Sequence, residues 1–302
     1  MKGRHEILVK DARVQYKFAI ERNITILRGD SATGKTTLIE MIGAFQRNGD
    51  QSGVALKADK PCVVLYEQNW ELVLGTIHDS IVFIDEGSPF ISSHDFARAI
   101  RGSDNYYVIA TRHSLYDLPY SIKEIYGIRN TTRKRYQGTK RLYAEFFPLI
   151  DYETGSSRNP DLVVVEDTNA GYEFFQHYFA RFHIRCISAQ GKSKIIKALI
   201  EEEYNTALVI ADGAAFGPVI ERLLGLRQVK DFSIFLPESF EWLVMRSDVL
   251  NDNEIRTILD APSEHIASET YFSWEQFFTE MLIDRSRGTY LAYVKNRLNK
   301  TT

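Results

Sequence analysis

Short apolar runs that stop abruptly on polar residues recur along this chain, and between them apolar positions fall at helical spacing. "EILVKDARVQYKFAIERNITILRGD" reads as two or three strands entering a glycine turn, and "TTLIEMIGAF" continues from the turn as a helix. "CVVLYEQ", "SIVFIDEG" and "NYYVIATRH" are three further strands, and "SHDFARAIRGS" suits a short helix between two of them. Strands alternating with helices predict an α/β fold with a mostly parallel sheet over residues 1–150. Residues 151–160 are polar and carry Gly, Ser and Pro, the composition of a linker. A second alternation fills 161–250: strands "LVVVE", "IRCISA", "ALVIAD" and "FSIFLPE", with helices in "GYEFFQHYFARF", "KSKIIKALIEEEY" and "GPVIERLLGL". It predicts a smaller α/β unit. Residues 251–302 form a helical tail whose Trp274, Phe277, Phe278, Met281 and Leu282 recur at helical spacing, which predicts packing on the second unit.

Composition changes this picture little. The 302 residues are 44% hydrophobic and 25% charged, an ordinary globular balance. Cys62 and Cys186 each lie in an apolar run, which points to a reducing compartment and away from a disulfide framework or a zinc site. No apolar run approaches the ~20 residues of a membrane span, so a soluble cytoplasmic protein is expected. The net charge of −3 is unevenly spread. Residues 1–150 hold 21 Lys/Arg against 17 Asp/Glu, and residues 151–302 hold 16 against 23. Six of the first unit's cations (Arg129, Arg133, Lys134, Arg135, Lys140 and Arg141) fall in "RNTTRKRYQGTKR", which contains no acid. A hairpin there would suit contact with DNA or RNA phosphates, or would be a solvated face.

The glycine turn carries specific chemistry. "GDSATGKT" matches G-x-x-x-x-G-K-[ST], the Walker A phosphate loop, between a strand and a helix as that motif requires. Gly29, Asp30, Ser31, Ala32, Thr33, Gly34, Lys35, Thr36 and Thr37 would cradle the phosphates of ATP with backbone N–H groups at a helix N-terminus. Lys35 would reach the β- and γ-phosphates, and the Thr36 hydroxyl would hold Mg²⁺. In "IVFIDEG" an apolar strand ends on Asp85 and Glu86. Asp85 would share the Mg²⁺, and Glu86 would orient or deprotonate the attacking water.

The stretch from "ILVKDARVQ" to "TTLIEMI" resembles the opening of an ABC-type ATPase, the class that includes the RecF and OLD ATPases. The resemblance implies nucleotide contacts from Gln68 in "VLYEQ" and from His113 in "TRHS", where Arg112 stands inserted. The chain departs from that class in lacking an L-S-G-G-Q-like signature and in the short span between its two nucleotide motifs.

The second unit repeats the theme of strands ending on acids. Glu166 and Asp167 follow its first strand, Asp212 its third, and Glu238 and Glu241 its fourth. In a parallel sheet these ends share one edge, where open α/β folds place ligands. Carboxylates converging there repel one another, and a divalent cation would relieve that. The pattern is similar to the Toprim domain, with a glutamate after one strand and D-x-D-x-x-G after a later one. Glu166, Asp212 and Gly217 match, and Ala214 stands in place of the second acid. The resemblance implies a Mg²⁺ or Mn²⁺ held by Glu166 and Asp212, with Glu241, or Glu238, replacing the missing carboxylate.

An ATPase followed by a Toprim-like unit resembles a compact OLD-family nuclease. The implied function is an ATP-regulated, divalent-metal-dependent nuclease from a mobile-element or anti-phage setting. The alternative is an ATP-dependent switch with a non-catalytic second unit that binds a protein partner or a second copy of itself. A small-molecule kinase ranks last, since no lid with catalytic arginines is evident.

Overall fold

The computed structural model describes residues 1–30, 33–66, 68–131, 142–150, 159–247, 249–250 and 252–295. The chain divides into two compact units, Met1–Ile150 with Ala261–Phe272, and Asp151–Asp260 with Ser273–Thr302. Both are α/β.

Unit 1 runs β1 (His5–Lys10), β2 (Val14–Ile20), β3 (Ile24–Leu27), α1 (Lys35–Asn48), β4 (Ala55–Lys57), β5 (Cys62–Val64), α2 (Trp70–Leu74), β6 (Ile81–Ile84), α3 (His94–Ile100), β7 (Tyr106–Ala110), β8 (Ile125–Asn130) and β9 (Leu142–Pro148). These strands form one nine-stranded sheet in the order β4-β1-β2-β9-β8-β3-β7-β6-β5. From β8 through β5 all neighbours are parallel. The other wing is mixed, because β1 pairs antiparallel with β2 and β4, and β8 antiparallel with β9. The sheet is therefore mostly parallel, as the sequence pattern predicts, with an antiparallel wing that the pattern does not announce. The tight connection at 11–13 folds β2 back on β1, and β3 follows at 24 with no helix between, separated from β2 in the sheet by β9 and β8.

The parallel strands are buried on both faces, as continuous apolar runs require. Ile81 and Phe83 of β6 and Tyr106 and Val108 of β7 join Leu38, Ile39, Met41 and Ile42 of α1 in one cluster. On β7 the intervening Tyr107 faces the other way and meets Phe96 of α3 edge-on at 6.2 Å. Trp70 of α2 stacks on Phe90 at 4.9 Å on the same side. Ala261–Phe272, expected in the tail on the second unit, belongs to unit 1 instead. Ser263 O accepts from Gly3 N at 2.7 Å, Met1 O from Ser268 N at 2.8 Å, and Phe272 O from Asn23 Nδ2 at 2.8 Å.

Unit 2 runs β10 (Leu162–Val165), α4 (Ala170–Ala180), β11 (Arg185–Ser188), α5 (Ile195–Glu201), β12 (Ala207–Ile210), α6 (Gly217–Leu226), β13 (Phe232–Phe235), α7 (Phe240–Arg246), α8 (Asn253–Asp260) and α9 (Trp274–Ser286). Its four strands are all parallel, in the order β11-β10-β12-β13. The chain leaves β10 for β11 and returns to β12 on the other side, so the winding reverses about β10. The carboxyl ends of β10 and β12 flank that reversal, the crevice where open α/β sheets take ligands. Val163, Val165 and Ile210 pack with Phe175 of α4 and Phe240 of α7 beneath it. In α9, Trp274, Phe278, Met281 and Leu282 are buried, as their spacing predicts. Among the described residues no helix is long and apolar enough to cross a membrane. Cys62 is buried and Cys186 half-buried, and burial pushes both thiols up to about 12, so neither is a reactive thiolate.

Candidate functional site

In unit 1 the turn between β3 and α1 begins at Gly29 (φ 139°) and ends at Gly34 (φ 95°). Both lie in the region that favours glycine. A Cβ on Gly34 would also stand 2.8 Å from the Tyr16 hydroxyl, which donates to the Gly34 carbonyl at 3.0 Å. Lys35 opens α1 with its side chain buried and turned back into the turn. Its Nζ donates to Gly29 O at 2.7 Å, Asp30 O at 3.0 Å and Thr33 Oγ1 at 3.2 Å. Thr36 and Thr37 are exposed beside it. Ser31 and Ala32 lie outside the described residues. The result is an ammonium beside the N-terminus of a helix, the elements of an anion receptor.

Strand order brings the acids to this point. β7 lies directly beside β3, and β6 beside β7, all parallel, so Lys35, Thr111–His113 and Asp85–Glu86 share one sheet edge. Glu86 Oε2 is 3.9 Å from Lys35 Nζ. Asp85 Oδ1 accepts from the Glu86 backbone N–H at 2.8 Å. Arg112 grips both oxygens of Glu86. The His113 backbone carbonyl accepts from Arg28 Nη2 at 3.2 Å and from Thr111 Oγ1 at 3.0 Å. The side chains of Gln68 and His113 are exposed. Of the cations in the basic stretch only Arg129 is described. It pairs with Glu145 at 2.7 Å and lies over the Phe147 ring. Arg133, Lys134, Arg135, Lys140 and Arg141 lie outside the described residues, as does most of the linker.

In unit 2 the strand-end acids meet in a cleft of about 240 Å³ lined by Glu166, Asp167, Asp212, Glu241, Glu275 and Lys295. Glu166 Oε2 accepts from Asp212 N at 3.1 Å, and Asp212 Oδ1 accepts from Phe240 N at 3.1 Å. Both carboxylates are thus tied to the backbone. Glu241, buried in the first turn of α7, accepts from the Tyr293 hydroxyl at 2.8 Å. Lys295 pairs with Glu275 at 3.0 Å. Asp167 serves its own turn, accepting from Thr168 N, Asn169 N and Gly171 N. Glu238 is buried and does not line the cleft.

The backbone around Asp212 is tightly held. Gly213 N donates to Pro237 O at 2.6 Å and Ala214 N to Glu238 O at 3.2 Å. A Cβ on Gly213 would meet Leu236 O at 2.8 Å and Pro237 O at 2.9 Å, so the loop after β13 closes on Asp212 only over a glycine. Ala214 is 2% exposed. A carboxylate restored there would have to be desolvated, so substituting Asp costs stability.

Burial and mutual repulsion disfavour charge in this cleft. Burial raises Glu166 to about 7, aided by Glu275 and opposed by the Asp212 N–H and by Lys192. Asp212 is raised well above the usual carboxylate range, first by burial and then by Glu275, Glu166, Glu241 and Asp167. Lys295 is raised because its acid neighbours outweigh its burial. Among the described residues no three His, Cys, Asp or Glu side chains stand close enough together to hold a metal ion as they are. Glu166 and Asp212 do fit one chemically: hard oxygen donors, destabilised as anions.

Sequence reasoning missed Glu275, Tyr293 and Lys295, which reach the cleft from the tail. The available signal was an acid, Glu275, set in the first turn of a helix otherwise read for its apolar stripe. Compared with protein-family models, with curated proteins and with solved structures, the chain gives no significant match.

Proposed function

We propose that unit 1 is a P-loop ATPase of the ABC and OLD kind, and that unit 2 is a Toprim-like domain whose acid cleft takes a divalent cation and cuts nucleic acid under control of ATP. The observation that carries the reading is the delivery, by three adjacent parallel strands, of Lys35, Arg112 and Glu86 to one point at a helix start. The triphosphate would displace Lys35 Nζ from the carbonyls of Gly29 and Asp30, exchanging neutral acceptors for charged ones. Asp85 and Thr36 would hold its Mg²⁺. Glu86 would take a proton from water as the water oxygen bonds to the γ-phosphorus and the bond to the ADP oxygen breaks.

In unit 2, Glu166 and Asp212 would hold the cation, with Glu241 completing the set after rotating from Tyr293. The cation supplies charge neutralisation and Lewis acidity for phosphodiester hydrolysis. The basic stretch 129–141 would contact DNA or RNA phosphates. The second reading, an ATP-dependent switch with a non-catalytic second unit, draws on Ala214 and on the Lys295–Glu275 pair, which already sets a cation in the cleft.

Two measurements decide. Lys35→Ala is expected to abolish ATP binding and turnover, and an unchanged variant removes the P-loop reading. Plasmid and single-stranded substrates incubated with Mg²⁺ or Mn²⁺, with and without ATP, are expected to be cut. Intact substrate from a protein that binds ATP leaves the switch.

A further inference from the structure

Arg112 is the residue by which "TRHS" departs from a plain Thr-His pattern, and its contacts give it a use. Its Nη2 donates to Glu86 Oε1 at 2.8 Å and its Nε to Glu86 Oε2 at 3.2 Å, a two-pronged pair. The same Glu86 Oε2 stands 3.9 Å from Lys35 Nζ. Both oxygens of this carboxylate are engaged by one guanidinium, which competes with water for them. The pair is nonetheless easy to exchange. Arg112 is 52% exposed and Glu86 26%, and ion pairs this open to water contribute little to the fold. The guanidinium fork fits phosphate as well as carboxylate, and a terminal phosphate carries more charge than Glu86.

We propose that Arg112 senses the terminal phosphate of a bound nucleoside triphosphate: without it Arg112 holds Glu86 in an ion pair, and with it the guanidinium passes to the phosphate and Glu86 is released to act on water. The inference rests on the nucleotide reading of unit 1. A diphosphate ends one phosphate short and leaves the Arg112–Glu86 pair in place. Arg112 therefore both discriminates ATP from ADP and sets when Glu86 is available.

The test is the ratio of ATP to ADP affinity, measured by titration calorimetry on the full chain, with thermal melts to verify folding. Arg112→Ala is expected to weaken ATP about ten- to a hundredfold, the range for a charged hydrogen-bonded contact, and to leave ADP nearly unchanged. Arg112→Lys, which keeps the charge and loses the fork, is expected to fall between. Glu86→Gln removes the competing anion and is expected to tighten ATP, and the gain should vanish when Arg112→Ala is added. An unchanged ATP-to-ADP ratio in Arg112→Ala overturns the inference, as does an equal loss for both nucleotides. If Lys35→Ala binds ATP like the parent, the nucleotide reading itself fails. If Lys35→Ala loses ATP and Arg112→Ala keeps the ratio, only the sensor fails.

Discussion

The two units both end parallel strands on carboxylates, and they balance the resulting charge in opposite ways. In unit 1, Glu86 sits between Arg112 and Lys35, so each charge has a counter-charge within reach. In unit 2, five carboxylates line one cleft with a single ammonium among its described lining residues, that of Lys295. Reversal of strand order about β10 supplies the crevice in unit 2, and the glycine turn between β3 and α1 marks the edge in unit 1. What differs is the poise: the first edge carries cations beside a helix N-terminus, and the second carries under-neutralised acids. The edge of an α/β sheet thus sets where a ligand goes, and the residual charge there sets which kind.

Neutralising one acid at each edge should separate the two most sharply. Asp212→Asn keeps the oxygen that accepts from Phe240 N and removes one of several repelling charges. The fold without metal is expected to gain stability, while metal-dependent cleavage falls about a hundredfold or more. Glu86→Gln does the reverse for charge, leaving Arg112 and Lys35 without their anion. Its pair is solvent-open, so stability is expected to change little, in the losing direction. Thermal melts in EDTA and a plasmid-cutting assay read both effects. An Asp212→Asn protein that melts lower than the parent, or cuts equally well, breaks the contrast.

Much of this contrast was legible in the sequence because it is local. An apolar run that stops on an acid marks a strand end, and a lysine after a glycine turn marks a helix start. Parallel pairing then gathers such ends without further instruction, as for Glu166 and Asp212 on neighbouring strands. What could not be read depends on pairing distant in sequence. Tyr293 meets Glu241 across 52 residues, and no local pattern announces it. Ala261–Phe272 docks on unit 1 through backbone bonds to Met1 and Gly3, contacts that leave no periodic trace in a short polar stretch. The antiparallel wing was similarly hidden, because strand direction follows from turn length and from the partner chosen, and not from apolar content.

The glycines sharpen the comparison at smaller cost. Gly34 is needed for its backbone angle, and Gly213 for the absence of a side chain where two carbonyls approach. Gly213→Ala is expected to destabilise the protein by about 1–3 kcal/mol, because backbone carbonyls cannot move aside as a side chain can. Gly34→Ala should cost about 1 kcal/mol in stability and most of the nucleotide affinity, since the Tyr16 hydroxyl can shift but the left-handed angle is strained. Urea unfolding gives both values. Equal losses would mean that the two turns are built alike.

The smallest expected effect is a slope, and it reports directly on the cleft. In the folded protein Glu166 holds its proton up to about pH 7, against an ordinary value of 4.5, because of burial first and Glu275 second. Asp212 shifts in the same direction, facing Glu166, Asp167, Glu241 and Glu275. Between those two pH values the folded chain binds a proton that the unfolded chain has released. Stability from this group is therefore complete below about 4.5 and is lost as pH rises towards about 7. One such proton gives a fall of at most about 1.4 kcal/mol per pH unit. A divalent cation competes with the proton, so saturating Mg²⁺ or Mn²⁺ should flatten the slope and raise stability most at the high-pH end. At a free concentration a hundredfold above its Kd the cation adds about 2.7 kcal/mol. Melting temperatures from pH 5.5 to 7, in EDTA and then in metal, measure both effects, with Asp212→Asn as the control that should weaken each. A parent whose stability is level across this window in EDTA, and indifferent to either metal, would mean that Lys295 and Lys192 already balance the acids, and the cleft would then be a closed ionic core with no need of a cation.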